Sequence, residues 1–332
     1  MIPEPQEHID DTLFQSDLSH FTVFSVTGAD ANSFLQGQLT QDIELATENH
    51  AVLSAYCSPK GRVLGSFLIW KEVSADNEPT LKFLVRNDIA ESLLKRLRMY
   101  VMRSKVVFTP DTLAVKGIWS PTIEKLGKWL ELDLQQIPAW NVVSKDGCTW
   151  IALPDVAGNK RFICIYNSLV SNQEGFCSLL SHKDSAQWDA LEILSGTPWI
   201  EKNNQELFIA QSINFDAING ISFTKGCYPG QEVVARSHYR GTLKRRMAIG
   251  IVSNATDPET WQPGKDVFDT QDSHEPCGLI VNSSAFDGKV YLLFETKLVA
   301  LEHNQISIGG IDGPKVELVD IPYSLEKPEI RK

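Results

Sequence analysis

Lys225-Gly226-Cys227-Tyr228-Pro229-Gly230-Gln231-Glu232-Val233-Val234-Ala235-Arg236 sets a thiol between a cation and two glycines, just ahead of a run that reads as a helix. Pro229 suits a first helical turn, where no backbone donor is needed, and Glu232 complements the positive helix end. Cys227 is then expected immediately before a helix N-terminus. Partial positive charge at that point, together with the Lys225 ammonium, favours thiolate over thiol and makes Cys227 a candidate reactive group. The same residues also allow a buried, inert cysteine.

Downstream of this stretch the pattern changes. Short β-rich runs at Met247 to Val252, Gly278 to Asn282, Lys289 to Phe294 and Ile306 to Ile308 alternate with turns at Pro263-Gly264, Asp287-Gly288, Gly309-Gly310 and Asp312-Gly313. Such spacing predicts a small barrel or sandwich, with a domain boundary near residue 241 and a frayed tail from residue 327.

Upstream, Phe21 to Val26 alternates as a strand, and Asp30 is placed to cap a helix through Ala31, Phe34, Leu35 and Leu39. Ala51 to Cys57 and Arg62 to Trp70 flank the turn Ser58-Pro59-Lys60-Gly61, a hairpin signature. Leu81 to Arg86 predicts another strand. Asp88 and Glu91 have capping-box spacing for a helix whose apolar face holds Ile89, Leu93, Leu94, Leu97, Tyr100 and Val101. A helix is expected near Thr122 to Leu132, strands at Thr149 to Leu153 and Arg161 to Tyr166, and a short helix over Trp188 to Leu194. Strands and helices mixed with antiparallel hairpins indicate an α+β body, expected over residues 1–240. No G-x-G-x-x-G or P-loop pattern occurs, so nucleotide-phosphate chemistry has no support.

The chain has 332 residues, 42% hydrophobic and 22% charged, with a formal net charge of −11. That acidity argues against broad nucleic-acid binding, which requires a basic face. The cations cluster, however: Lys225, Arg236, Arg240, Lys244, Arg245 and Arg246 in one region, and Lys95, Arg96, Arg98, Arg103 and Lys105 in another. Each cluster is either a solvated face or part of a cleft that holds a compact anion. Six cysteines without a C-x-x-C pair give neither a disulfide framework nor a metal-ligand pattern, so no metal site is expected. The absence of an apolar span and of a signal-like start leads to the expectation of a cytoplasmic protein with no membrane partner.

The Lys225 to Arg236 motif closely resembles the signature of the YgfZ-type folate-binding, tRNA-modifying proteins. Phe208-Ile209-Ala210-Gln211-Ser212-Ile213-Asn214, Gly220-Ile221-Ser222-Phe223, Thr27-Gly28-Ala29-Asp30, Gln36-Gly37-Gln38 and Pro322-Tyr323-Ser324-Leu325-Glu326 resemble the same pattern along nearly the whole chain. The resemblance implies the fold of the glycine-cleavage T-protein, the folate-dependent aminomethyltransferase: two interleaved α+β lobes and a C-terminal antiparallel β-barrel over residues 241–326. It implies tetrahydrofolate or another reduced folate as cofactor. It also implies support of iron-sulfur cluster assembly or repair in client enzymes such as tRNA-thiolating enzymes.

By that resemblance Cys227 and Lys225 carry the chemistry. Phe21, Trp188, Gln211, Asn214, Tyr228, Gln231, Glu232 and Arg236 are expected around the cofactor. Phe21 stands where the best-known members carry tryptophan, which keeps ring stacking and loses an indole N–H. Folate chemistry asks for apolar walls against its rings, here Phe21 and Trp188, and for cations at its carboxylates. Arg240, Lys244, Arg245 or the Lys95 to Arg98 run are candidates for that second part. The alternative activity is transfer of an aminomethyl or methyl group to or from a small substrate.

Overall fold

The computed structural model describes residues 12–73, 79–145, 147–167, 180–239, 243–253, 257–272 and 275–325. Arg240, Cys177 and the tail expected to fray lie outside them. The fold is mixed α+β and contains three large sheets.

The first sheet is antiparallel, in the order β3 (Val52–Cys57), β4 (Val63–Val73), β5 (Pro79–Arg86), β2 (Phe21–Thr27), β6 (Val107–Pro110). The expected hairpin joins β3 to β4, with Gly61 at φ +71° closing the turn and its N–H donating to the Ser58 carbonyl at 2.8 Å. β3 and β4 are almost continuously buried because both faces of this sheet are covered. Val63, Phe67 and Ile69 pack into one core, while Leu53, Leu68 and Trp70 pack into another.

The second sheet runs β11 (Leu180–His182), β1 (Leu13–Asp17), β7 (Ala114–Ser120), β10 (Asn159–Tyr166), β9 (Cys148–Val156), β8 (Val142–Lys145). β1 belongs here, between β7 and the parallel β11, although the next five strands of the chain build the first sheet. The period-2 alternation of β10 divides its side chains. Ile163 and Ile165 fill the layer against the first sheet, while Phe162 and Cys164 face α3 (Glu124–Leu130) through Leu126 and Leu130.

The opposite face of the first sheet is covered by α1 (Ala31–Gln36) and α2 (Asn87–Val101). α1 is shorter than its pattern suggests. Asp30 precedes it without a side-chain cap; its carboxylate accepts the Lys105 backbone N–H at 2.7 Å instead, and Leu39 falls beyond the helix in a bridge with Tyr56. The capping box expected from Asp88 and Glu91 is also absent. α2 starts two residues earlier than that cap requires, at Asn87, and Asp88 accepts from the Lys202 N–H at 2.8 Å. Burial holds α2 in place: Ile89, Leu93, Leu94 and Leu97 each contribute about 1.5–3 kcal/mol. Tyr100, expected on this face, is exposed.

The third sheet, β16 (Ile306–Ile308), β13 (Asp266–Asp269), β14 (Gly278–Phe286), β15 (Lys289–Lys297), β12 (Arg245–Ser253), β17 (Glu317–Val319), is antiparallel and curls as a half-barrel. The curl brings its two ends together, as the barrel-like expectation requires: the residues leading into β17 pair with β16, with the Ile308 N–H donating to the Pro314 carbonyl at 3.1 Å and the Val316 N–H to the Ile306 carbonyl at 2.9 Å. Ala248 and Val252 of β12 fill its own core, while Met247 and Ile249 join the core of the first sheet, so both faces are buried. Gly250 makes room for Val316, whose Cγ1 would lie 2.1 Å from a Cβ at that position. α4 (Ser185–Leu194), capped by the Asp184 carboxylate, packs on β14; α6 (Leu298–His303) follows β15.

Candidate functional site

The cysteine stretch is an irregular segment that leads into α5 (Gln231–Tyr239). Pro229 is not in the helix as expected. It forms a turn with Gly230, and the Gln231 N–H donates to the Tyr228 carbonyl at 3.2 Å. The turn arises because Gly230, at φ +82°, lies against the Ser58–Gly61 hairpin turn, where a Cβ would stand 2.6 Å from the Ser58 carbonyl oxygen and 2.7 Å from Gly61 Cα.

The segment leading into Cys227 is fastened to the residues that follow α1. Thr40 Oγ1 donates to the Gly220 carbonyl at 2.7 Å, the Ser222 N–H to the Thr40 carbonyl at 3.0 Å, and Gln41 Nε2 to the Asn219 carbonyl. Lys225 completes the seam, with Nζ donating to the carbonyls of Leu39 at 2.7 Å and Gln41 at 3.0 Å. The same ammonium lies 5.4 Å from the Tyr228 ring centroid. Burial lowers the Lys225 pKa to about 8, with Asp42 opposing. Burial, with Cys57 nearby, raises that of Tyr228. Cys57 itself is buried and its thiol is pushed up to about 12.

Among the described cysteines Cys227 alone is exposed. Glu232 and Arg236 are exposed too and bond one another at 3.2 Å. Gln211 and Asn214 are fully buried and act as ties. Gln211 Nε2 donates to the Val234 carbonyl of α5 at 2.5 Å, and Asn214 Nδ2 donates to the Met247 carbonyl of β12 at 2.9 Å. Beside them Arg246 holds Asp216 with two bonds of 2.6 and 3.0 Å.

Phe21 and Trp188 lie elsewhere, in the core between the first two sheets. Trp188 is fully buried against Gly117 and Trp119, and the Arg161 guanidinium stands 5.5 Å from its ring. Arg161 donates to Glu192 at 2.6 Å, and the other oxygen of Glu192 accepts from Trp199 Nε1 at 2.8 Å. Trp188 Nε1 and Arg161 Nη2 are buried with no protein partner. Phe21 meets Trp199 edge-on at 4.7 Å and has Arg86 over its ring at 5.2 Å.

Arg86, Glu192, Trp199, Glu201 and Asn282, with Asp189, surround a cavity of about 30 Å³ between the end of β5, α4, the 197–201 segment and β14. Burial raises the Glu201 pKa against the opposing effects of Arg86, at 3.2 Å, and Asn282, at 2.9 Å. The sequence reading missed these polar residues. Glu192 carries a signal, because it lies one turn after Trp188 amid Ala190, Leu191 and Ile193. Nothing in the local pattern around Arg86, Glu201 or Asn282 brings them together.

The expected cations line other cavities. Lys244 and Arg245 border one of about 610 Å³ with Arg62, Asp266 and Glu295, and Lys95 and Arg96 border one of about 410 Å³. Neither Phe21 nor Trp188 lines either of these two cavities. Among the described residues no cluster of metal-ligating side chains occurs, and no helix is long and apolar enough to cross a membrane.

No protein-family model matches the chain. Its fold is similar to that of the glycine cleavage system aminomethyltransferase T from Bartonella henselae, whose crystal structure superposes with a TM-score of 0.69 at 15% identity, over 95% of this chain and 86% of that one.

Proposed function

We propose that the chain is a tetrahydrofolate-binding factor that supports iron-sulfur cluster assembly or repair in client enzymes, and thereby tRNA modification, with Cys227 as its reactive group. The observation that carries this reading is the pairing of a T-protein-like fold with the one exposed cysteine among the described residues, held on a fastened loop. A thiol with a structural role is buried, as Cys57, Cys148, Cys164 and Cys277 are. The division of the body into two interleaved lobes belongs to the same proposal and draws on the placement of β1 in the second sheet.

The polar cluster between β5, α4 and β14 suits a reduced pterin in its chemistry. Glu201, Glu192 and Asp189 offer acceptors for ring N–H groups, Phe21 and Trp199 offer aromatic surface, and Trp188 Nε1 and Arg161 Nη2 are donors without acceptors. A bound folate would supply a one-carbon unit or reducing capacity. Its volume does not suit the cavity as it stands, which has room for about one water. Binding therefore requires α4, the 197–201 segment and β14 to part. Titration with tetrahydrofolate by calorimetry tests this, comparing the wild type with Glu201→Gln and Arg86→Ala. Saturable binding weakened about tenfold or more by each is expected; equal binding by both variants would place the folate elsewhere.

The thiol role has its own test. A Cys227→Ser protein is expected to fail in restoring cluster-dependent tRNA modification to a deletion strain, and full restoration would remove the thiol from the mechanism. Transfer of an aminomethyl or methyl group is the second reading, favoured by the half-buried carboxylate of Glu201 with its raised pKa, a group suited to managing the proton of an amine. Formation of methylene-tetrahydrofolate from tetrahydrofolate and an aminomethyl-lipoyl carrier protein would establish it.

A further inference from the structure

Between Glu91 and Asp111 the chain has no acidic residue and five cations, Lys95, Arg96, Arg98, Arg103 and Lys105, although its net charge is −11. None of the five makes an ion pair among the described residues. Arg96 lies close enough to the Tyr56 hydroxyl to favour its ionised form, and Arg98 Nη2 donates to the Phe108 carbonyl at 2.7 Å. The same end of α2 exposes apolar side chains: Met99 is 65%, Tyr100 47% and Met102 89% exposed, and Val107 at the start of the edge strand β6 is 57% exposed. Met102 also sits at φ +46°, turning the chain sharply out of the helix. Beside this patch is the cavity of about 410 Å³ bordered by Leu64, Leu93, Lys95, Arg96, Met99 and Glu206.

We propose that the C-terminal end of α2 and this groove form a docking surface for an acidic, amphipathic helical segment of a partner protein. Charge complementarity selects the acidic character, since cations left without carboxylates on an acidic protein attract an acidic surface while the rest of the molecule repels it. The groove floor of Leu64 and Leu93 and the flexible Met99 and Met102 select apolar anchors, because thioether side chains adapt to a partner's shape. RNA is disfavoured: the patch offers one ring for stacking, and the net charge opposes a polyphosphate. This inference stands independently of folate and of Cys227.

The test uses the full chain and a fluorescein-labelled helical peptide with glutamates on one face and leucines on the other, followed by anisotropy at low and high salt. The expected result is saturable binding weakened by salt. Met99→Ser/Met102→Ser and Lys95→Glu/Arg103→Glu should each reduce it by about tenfold or more. These positions are exposed, so both variants should fold; circular dichroism checks that. The proposal is overturned by no binding, by equal binding of an isocharged peptide with alanine in place of leucine, by tighter binding of tRNA at the same patch, or by sedimentation showing that the patch pairs two copies of this chain.

Discussion

Gly230 and Gly61 lie back to back where the cysteine loop meets the β3–β4 turn, both in the left-handed region, at φ +82° and +71°. Their contact leaves no room for a side chain, since a Cβ on Gly230 would approach Gly61 N at 2.8 Å and one on Gly61 would approach Val233 Cβ at 2.8 Å. Gly230→Ala combines left-handed strain with a backbone clash and is expected to cost about 2–4 kcal/mol or to lift the loop off the hairpin. Urea unfolding measures the first outcome, and an altered alkylation rate at Cys227 the second. Unchanged stability and rate would show that the loop is not seated on this turn.

Alkylation should also rank the thiols. In the folded protein iodoacetamide is expected to label Cys227 before Cys57, Cys148, Cys164 and Cys277, because only Cys227 is exposed and burial raises the Cys57 thiol to about 12. Peptide mapping after a short exposure reads the order. Early labelling of Cys57 would contradict its burial.

Lys225 gives a pH dependence with a defined sign. Its folded pKa of about 8 lies below the ordinary lysine value of about 10.4, so burial penalises the ammonium in full below pH 8. As pH rises from about 8 to 10.4 the folded state sheds this proton before the unfolded state does, and stability rises. The gap corresponds to about 3 kcal/mol, which partial solvent exposure of the amine reduces to about 1–2 kcal/mol. The stability of wild type relative to Lys225→Met should increase by that amount across this interval. A flat difference would mean that the amine titrates as an exposed lysine does.

The Arg161–Glu192 pair is buried on both sides, and Glu192 also holds Trp199. Glu192→Ala leaves a buried guanidinium without its counter-charge and should destabilise by about 3–5 kcal/mol, whereas Arg161→Met/Glu192→Leu should recover most of that loss. Thermal unfolding of the three proteins decides. A double variant no more stable than the single one would show that Trp199 and the backbone, not the charge pair, carry the cost.

Trp188 illustrates how much of the site was legible beforehand. The sequence marks it as an aromatic residue on a helix that ends at Ser195-Gly196, and that helix is present. Its pattern does not show that Gly117, on a strand far away in the chain, lies so near that an added Cβ would come 2.3 Å from the indole. Nor does it show that the indole N–H and an Arg161 donor are buried together without acceptors. The cysteine motif was legible for a similar reason in reverse. Its residue types mark a thiol just ahead of a helix, but Pro229 turns with Gly230 before that helix instead of opening it, and the anchors of the loop, Thr40 and Gln41, lie about 180 residues earlier.

The sequence by itself determined the alternation that builds the β3–β4 hairpin, the amphipathic face of α2, the β-rich run after the cysteine motif and the acidity that weighs against nucleic acid. These follow from local sterics and from the periodicity of burial, which neighbouring residues encode. Only the tertiary structure decided that Glu192, Glu201, Arg86 and Trp199 share a small cavity, that Cys227 alone of the described cysteines faces solvent, and that the third sheet curls until β16 meets the residues leading into β17. Each of those outcomes depends on which buried faces meet. That choice is made by packing and by the satisfaction of buried polar groups across residues distant in the chain, for which local pattern carries no signal.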